Sequence, residues 1–95
     1  MKMLAIMRPV EGVDVRAGVA KHARAELETL WRLYRDGIVR EMYLPAKAGA
    51  VLILEAASLE GAQARLSPLP LIAHGVMSLE LLELRPFTAL EMLFE

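Results

Sequence analysis

The sequence predicts an α+β protein whose elements follow the order βαββαβ. Three observations carry that prediction. Four short apolar runs, each bounded by a proline or a turn, have the length of strands. Two segments between them carry helix signals, a capping side chain before the first turn and a glycine or proline stop. The chain has 95 residues, 56% of them hydrophobic, which suits a single domain over 1–95 and leaves too little surface to bury a second.

The elements follow in order. Residues 2–8 are apolar, short and stopped by Pro9, and read as the first strand. Glu11-Gly12-Val13-Asp14 reads as a loop, with Asp14 as N-cap of a long helix that runs to about Asp36. Gly37 then suits the left-handed position just past a helix end. Residues 38–44 form a second strand closed by Pro45, 46–49 a turn, and 50–57 an almost wholly apolar third strand. Ser58 caps a shorter helix over 59–66, ended by Pro68 and Pro70. Residues 76–84 give the fourth strand, stopped at Pro86, and Phe87–Glu95 form an apolar tail with helical spacing.

Two split βαβ units of this size define a ferredoxin-like sandwich. Two helices cover only one face of a four-stranded sheet, yet Val51-Leu52-Ile53-Leu54 and Met3-Leu4-Ala5-Ile6-Met7 are apolar on both faces. The second face therefore calls for a cover. A second copy stacked sheet on sheet is the simplest one and gives a dimeric α+β barrel, with the tail 86–95 placed to contact the partner subunit.

Composition narrows the function. Eleven basic and twelve acidic residues leave a net charge of −1, without the cationic footprint that nucleic-acid binding needs. The chain has no cysteine, which removes thiolate chemistry and fits a cytoplasmic location. The apolar start ends at Arg8-Pro9, too short for a leader core or a membrane span. The glycines are scattered rather than set in a phosphate-binding loop, and no serine stands in a nucleophile elbow. An enzyme built on this chain would work without a bound nucleotide.

The first helix holds the most useful irregularity. Val19, Ala20, Ala23, Leu27, Leu30, Trp31, Leu33 and Tyr34 fall within one arc of the helical wheel, and Glu26 is the only charged residue of the stretch Val19–Tyr34 inside it. A carboxyl group in apolar surroundings has a raised pKa and can carry a proton near neutral pH. The alternative is a glutamate that leans out and pairs with His22 or an arginine. His22 and Glu26 are also spaced i, i+4, which can present two ligands to a metal with His74 as a third. A plain helix-surface pair explains that spacing better, so no metal is assigned. In the second strand Arg40 shares a face with Ile38, Met42 and Leu44, where it suits a substrate carboxylate or snorkels from an edge. Tyr43 lies on the opposite face with Val39 and Glu41.

From the first helix to the fourth strand the chain resembles the muconolactone isomerase family of the dimeric α+β barrel group. The resemblance rests on Leu33, Arg35 and Gly37 with Arg40 following, on Gly49–Ser58, on Leu69-Pro70-Leu71 and on Ser78–Leu84. It implies a cofactor-free proton shift on a small unsaturated lactone bearing a carboxylate. Counted back from Gly37, the family's proton-transferring glutamate falls on Glu26, and a family arginine falls on Arg40. His22 or Tyr43 would polarise a substrate oxygen. Tyr43 stands where a tryptophan is usual, and Ile72-Ala73-His74 replaces an aromatic–proline stretch, so the pocket is expected to differ. The ending Ser78–Phe87 also resembles the YCII-related family, whose helix histidine would fall at position 26.

The resulting expectation is an isomerase-like enzyme that forms at least a homodimer and takes a small-molecule ligand. The rival from another class is a non-catalytic module that binds a small ligand or serves assembly. Cofactor-free oxygenases of the same barrel group form a third possibility.

Overall fold

Alternation along the first strand sets the architecture. In β1 (Lys2–Pro9), Met3, Ala5 and Met7 are buried while Leu4 and Ile6 point to the other face. The computed structural model, which describes residues 1–95, places β1 between β3 (Ala50–Glu55) and β4 (Met77–Leu84), with β2 (Val39–Tyr43) beyond β3. All three pairings are antiparallel, in the order β2-β3-β1-β4. That order and the βαββαβ succession are those of the ferredoxin-like fold.

One face of the sheet is dry. Met3, Ala5 and Met7 meet Leu52 and Leu54 of β3, Leu33 of α1 (Val15–Arg35), Ala62 and Leu66 of α2 (Leu59–Leu66), and Leu71 of a short α3 (Pro70–Ala73). These side chains form one continuous cluster, so all the helices lie on this side.

Local chemistry fixes the helix ends. Asp14 accepts the amide of Ala17 at 3.1 Å, as an N-cap should. At the far end Gly37 has φ +79°, and the amides of Gly37 and Ile38 donate back to Tyr34 and Leu33. That pair of bonds is a Schellman motif, which satisfies carbonyls the helix leaves open. Ser58 accepts the amide of Gly61 at 3.0 Å and starts α2. The short α3, opened by Pro70 at its first turn, has no counterpart in the sequence reading.

The second strand departs from simple alternation. Val39 pairs with Leu54, but Glu41 pairs with Ile53 and Tyr43 with Val51, with a bulge at Arg40 between them. A bulge inserts one residue and reverses which side chains share a face. Val39 therefore joins Met42 toward the helices, and Glu41 and Tyr43 turn to the open face. The expected sharing of a face by Ile38, Arg40, Met42 and Leu44 is lost, and so is that of Val39 with Tyr43. β3 and β2 are also shorter than expected, and the helical spacing of the tail takes the form of a 3₁₀ helix over Thr88–Phe94.

Two surfaces stay uncovered. Leu4, Ile6, Val51 and Ile53 lie on the open face of the sheet, continued by Leu82, which is 43% exposed. Every residue from Leu82 to Glu95 is exposed, including Phe87, Leu90, Met92, Leu93 and Phe94.

Gly18 sets how closely α1 sits on the start of β4. A Cβ built there would stand 2.7 and 2.8 Å from the two Cγ atoms of Val76. Val76 is buried and β-branched, so no rotamer removes both methyls. Alanine in place of glycine favours a helix by about 1 kcal/mol, whereas overpacking a core costs about 1–3 kcal/mol. Gly18→Ala should therefore lower the melting temperature. In a Val76→Ala background the same change should become neutral or stabilising, which a four-protein thermal-melt cycle measures.

Candidate active site

The axis of α1 passes over the sheet with Val19, Ala23, Glu26, Leu30 and Leu33 facing inward, a stripe of alternating three- and four-residue steps. Glu26 sits in the middle of it. Its residue exposure is 5%, and it is the one charged residue that the fold buries. Leu27 and Trp31, which share its apolar arc on the wheel, are 65% and 59% exposed. The stripe facing the sheet is thus rotated past the centre of the apolar arc, onto Glu26.

Glu26 Oε1 accepts the backbone amide of Leu71, at 3.0 Å, across the contact between α1 and α3. Oε2 has no hydrogen-bond partner in the chain, and no cation pairs with the carboxyl group. Burial pushes its pKa above the ordinary carboxylate value, and the Leu71 amide, by stabilising the charged form, opposes part of that rise.

The carboxyl group lines a cavity of about 840 Å³ between α1, the ends of β1 and β4, and the β2–β3 loop. Its walls are largely aliphatic, with Met7, Val19, Ala23, Leu30, Leu71 and Met77 among them, and Glu26 is its only acid. Gly49 brings the loop against this end of the sheet. Its φ is +130°, and a Cβ there would meet the carbonyl oxygen of Met7 at 2.3 Å. Two cations, Arg16 on the first turn of α1 and Lys47 in the loop, complete the rim.

The other residues singled out in the sequence lie elsewhere. His22 stacks on His74 with ring centroids 4.3 Å apart and planes 13° apart, outside the cavity. Loss of hydration, His74 and Lys21 lower its pKa, in that order. Glu26 turns to Leu71 instead of joining this pair, and no three His, Asp or Glu side chains gather as metal ligands would. Arg40 is exposed at the bulge, where its Nε donates to the carbonyl of Gly37 at 2.6 Å. Tyr43, on the open face, donates its hydroxyl to Glu41, whose hydrogen bond and charge raise the phenol pKa. Arg40 and Tyr43 line neither wall nor rim. Conversely, the cavity also brings in Arg16, which falls in the same arc of the wheel but precedes the apolar stretch Val19–Tyr34, and Lys47, a loop lysine that carries no signal in a linear sequence.

A ferredoxin-like sandwich with an apolar cavity under its long helix and one buried carboxylate at its inner end defines the architectural class. Among solved structures the chain is similar to muconolactone isomerase, with a TM-score of 0.71 at 22% identity over 94% of this chain and 93% of that one. It is equally similar in fold to 5-chloro-2-hydroxyhydroquinone dehydrochlorinase from Burkholderia phenoliruptrix AC1100, solved with 2,5-dihydroxybenzoquinone. There the TM-score is 0.71 at 18% identity over 90% and 94% of the two chains. Likeness at these identities establishes a shared fold. No protein-family model and no curated protein sequence matches the chain. No helix is long and apolar enough to cross a membrane.

Stability should report the state of Glu26. Its folded pKa is raised, so its favourable contribution is complete below about 4.5, the ordinary value, and is lost as pH rises through the folded pKa. Glu26→Gln keeps an acceptor for Leu71 and removes the buried charge, so at pH 7 it should match or exceed the parent in denaturant melts. Any advantage should vanish below pH 4.5. Glu26→Ala strands the Leu71 amide and should be about 1–3 kcal/mol less stable than Glu26→Gln.

Proposed function

We propose that the protein is an isomerase-like enzyme that shifts a proton on a small unsaturated carbonyl compound, of the carboxylate-bearing lactone type, with Glu26 as the proton carrier. The observation that supports this is the placement of a single raised-pKa carboxyl group inside an apolar cavity. In the base form, Glu26 takes a proton from a carbon next to or conjugated with the carbonyl, and the C–H electron pair moves into the enolate. The same carboxyl group then returns the proton to another carbon of the conjugated system. The substrate leaves as an isomer, and the protein ends as it began. A carboxyl pKa raised by burial favours the return of the proton, since one group must accept and then donate. The reaction uses no cofactor. Its fold relatives include an isomerase by name.

The hydrogen bond from Leu71 favours a second reading, in which Glu26 is a strut between α1 and α3 in a ligand-binding module without turnover. The two readings part on catalysis. Under the first, Glu26→Gln lowers turnover by roughly 10²–10⁴-fold with the fold intact. Screening unsaturated lactone acids by NMR, with exchange of substrate C–H protons for solvent deuterium as the readout, detects even a slow proton shift. A parent protein that exchanges no substrate proton supports the strut, and full activity in Glu26→Gln removes Glu26 from the chemistry.

Self-association belongs to the same proposal. The open face carries Leu4, Ile6, Val51, Ile53 and Leu82 in one patch across the three adjacent strands β3, β1 and β4. Stacking two such faces would form a dimeric α+β barrel in the cytoplasm, with the tail 86–95 reaching the partner. The parent should sediment as a dimer or a larger assembly. Leu82→Lys, opposite Leu4 in the register, should shift it toward monomer while leaving far-UV circular dichroism unchanged.

A further inference from the structure

The proton-transfer reading gives the inner end of the cavity a role and leaves its mouth unexplained. The mouth is where the two cations stand. Arg16 and Lys47 come from different elements, the first turn of α1 and the β2–β3 loop, and both line the same cavity as Glu26. Neither forms an ion pair within the chain. The nearest acid in sequence to Arg16, Asp14, is engaged in capping Ala17. The N-terminus of α1, with its partial positive charge, opens onto the same region and adds to the field of the two side chains. The loop that bears Lys47 is pinned by the Gly49 contact with Met7, so this cation is held near the rim by backbone packing.

The distance along the helix limits what the mouth can hold. From Arg16 to Glu26 the axis of α1 advances about 15 Å at 1.5 Å per residue. Side chains on a helix lean toward its N-terminus, so Glu26 reaches back toward the mouth. Arg16 leans away from Glu26 in the same sense, so a ligand that touches both ends separates its anionic group from its reacting carbon by on the order of 10 Å. The walls between the ends are aliphatic. The cavity volume of about 840 Å³ falls in the range of about 300–1,000 Å³ that encloses drug-sized ligands. A single-ring lactone acid would leave most of it unfilled.

We infer that Arg16 and Lys47 are specificity-determining residues that anchor the carboxylate of an elongated amphipathic acid, whose apolar body lies along Val19, Ala23 and Met77 toward Glu26. The inference rests on the proton-transfer reading only for what happens at Glu26. Within that reading it specifies an unsaturated carbonyl substrate that carries its acid group remote from the reacting carbon. Arg40 has no part in holding that acid, since its guanidinium is committed to Gly37 at the bulge. Two cations on separate elements tolerate some variation in head position, whereas the aliphatic channel selects against a second charge along the body.

Binding tests this without knowledge of the substrate. Isothermal titration at pH 7 and low salt would compare 6-phenylhexanoate, 6-phenylhexan-1-ol and benzoate on the full chain. The long acid should bind at least about tenfold more tightly than the alcohol of the same length, and also more tightly than the short acid. In the double variant Arg16→Gln/Lys47→Gln, both exposed positions, the advantage of the acid over the alcohol should disappear while the affinity for the alcohol stays the same. Glu26→Gln should preserve the preference for the acid. Equal binding of acid and alcohol by the parent would overturn the inference. So would a preference that survives the double variant, equal binding of benzoate and the long acid, or failure of the parent to bind either long probe. Because no turnover is measured, these results stand apart from proton exchange at Glu26. A protein can bind the long acid through its rim and exchange no proton, or exchange a proton and show no such preference.

Discussion

A single hydrogen bond organises the functional end of the molecule. The amide of Leu71 donates to Glu26 across the contact between α1 and α3, and each partner needs the other. Leu71 is buried, so its amide requires an acceptor away from water. Glu26 is buried among aliphatic side chains, so its carboxyl group requires a donor if it is to ionise at all. The bond uses one oxygen and leaves the other free. A fully satisfied carboxylate would be a structural fixture, and an unsatisfied one would be too costly to keep charged. This one stands between, with burial raising its pKa and the amide holding part of that rise back.

The cavity exists because two backbone approaches are fixed at its sides. Gly18 lets α1 settle against Val76 at the start of β4, and Gly49 lets the β2–β3 loop run against Met7 at the end of β1. Close packing at those points holds the helix and the loop as the walls of an open-ended channel. The polar groups are then distributed by chain direction. The N-terminus of α1 and the turn after β2 lie at one end of the sheet, so the cations gather at the mouth. The middle of α1 lies over the middle of the sheet, so the carboxyl group stands inside. The lining between them is largely aliphatic, with the cations at the rim and the carboxyl group within.

Away from the channel, the molecule leaves apolar surface in the open. The second face of the sheet and the 3₁₀ tail present leucine, isoleucine, valine, methionine and phenylalanine side chains to solvent. Contiguous patches of this kind mark association sites in soluble proteins. The central position of β1 adds to the point, because Leu4 sits between Ile53 on β3 and Leu82 on β4, and Ile6 beside Val51, with Glu80 on its other side. The apolar patch therefore spans three adjacent strands, with the Arg8–Glu80 ion pair at one border.

Local chemistry wrote the element order into the sequence. Asp14, Gly37 and Ser58 act through hydrogen bonds within a few residues of themselves, so the helix ends can be read from the chain. The doubled apolar character of β1 and β3 likewise marks a sheet with apolar side chains on both faces before any strand is paired. The helical wheel singled out Glu26 because a charge within an apolar arc is a local anomaly. What it could not give is the rotation of α1 about its axis, which exposes Leu27 and Trp31 and turns Glu26 inward; that depends on the sheet beneath. The bulge at Arg40 is invisible in sequence because pairing register, not residue type, creates it, and it removed Arg40 from the sheet face where alternation had put it. Leu71 as the partner of Glu26, and Arg16 and Lys47 as neighbours at one mouth, were decided only by tertiary structure. Residues far apart in the chain meet through the packing of whole elements, and no short-range pattern encodes that distance.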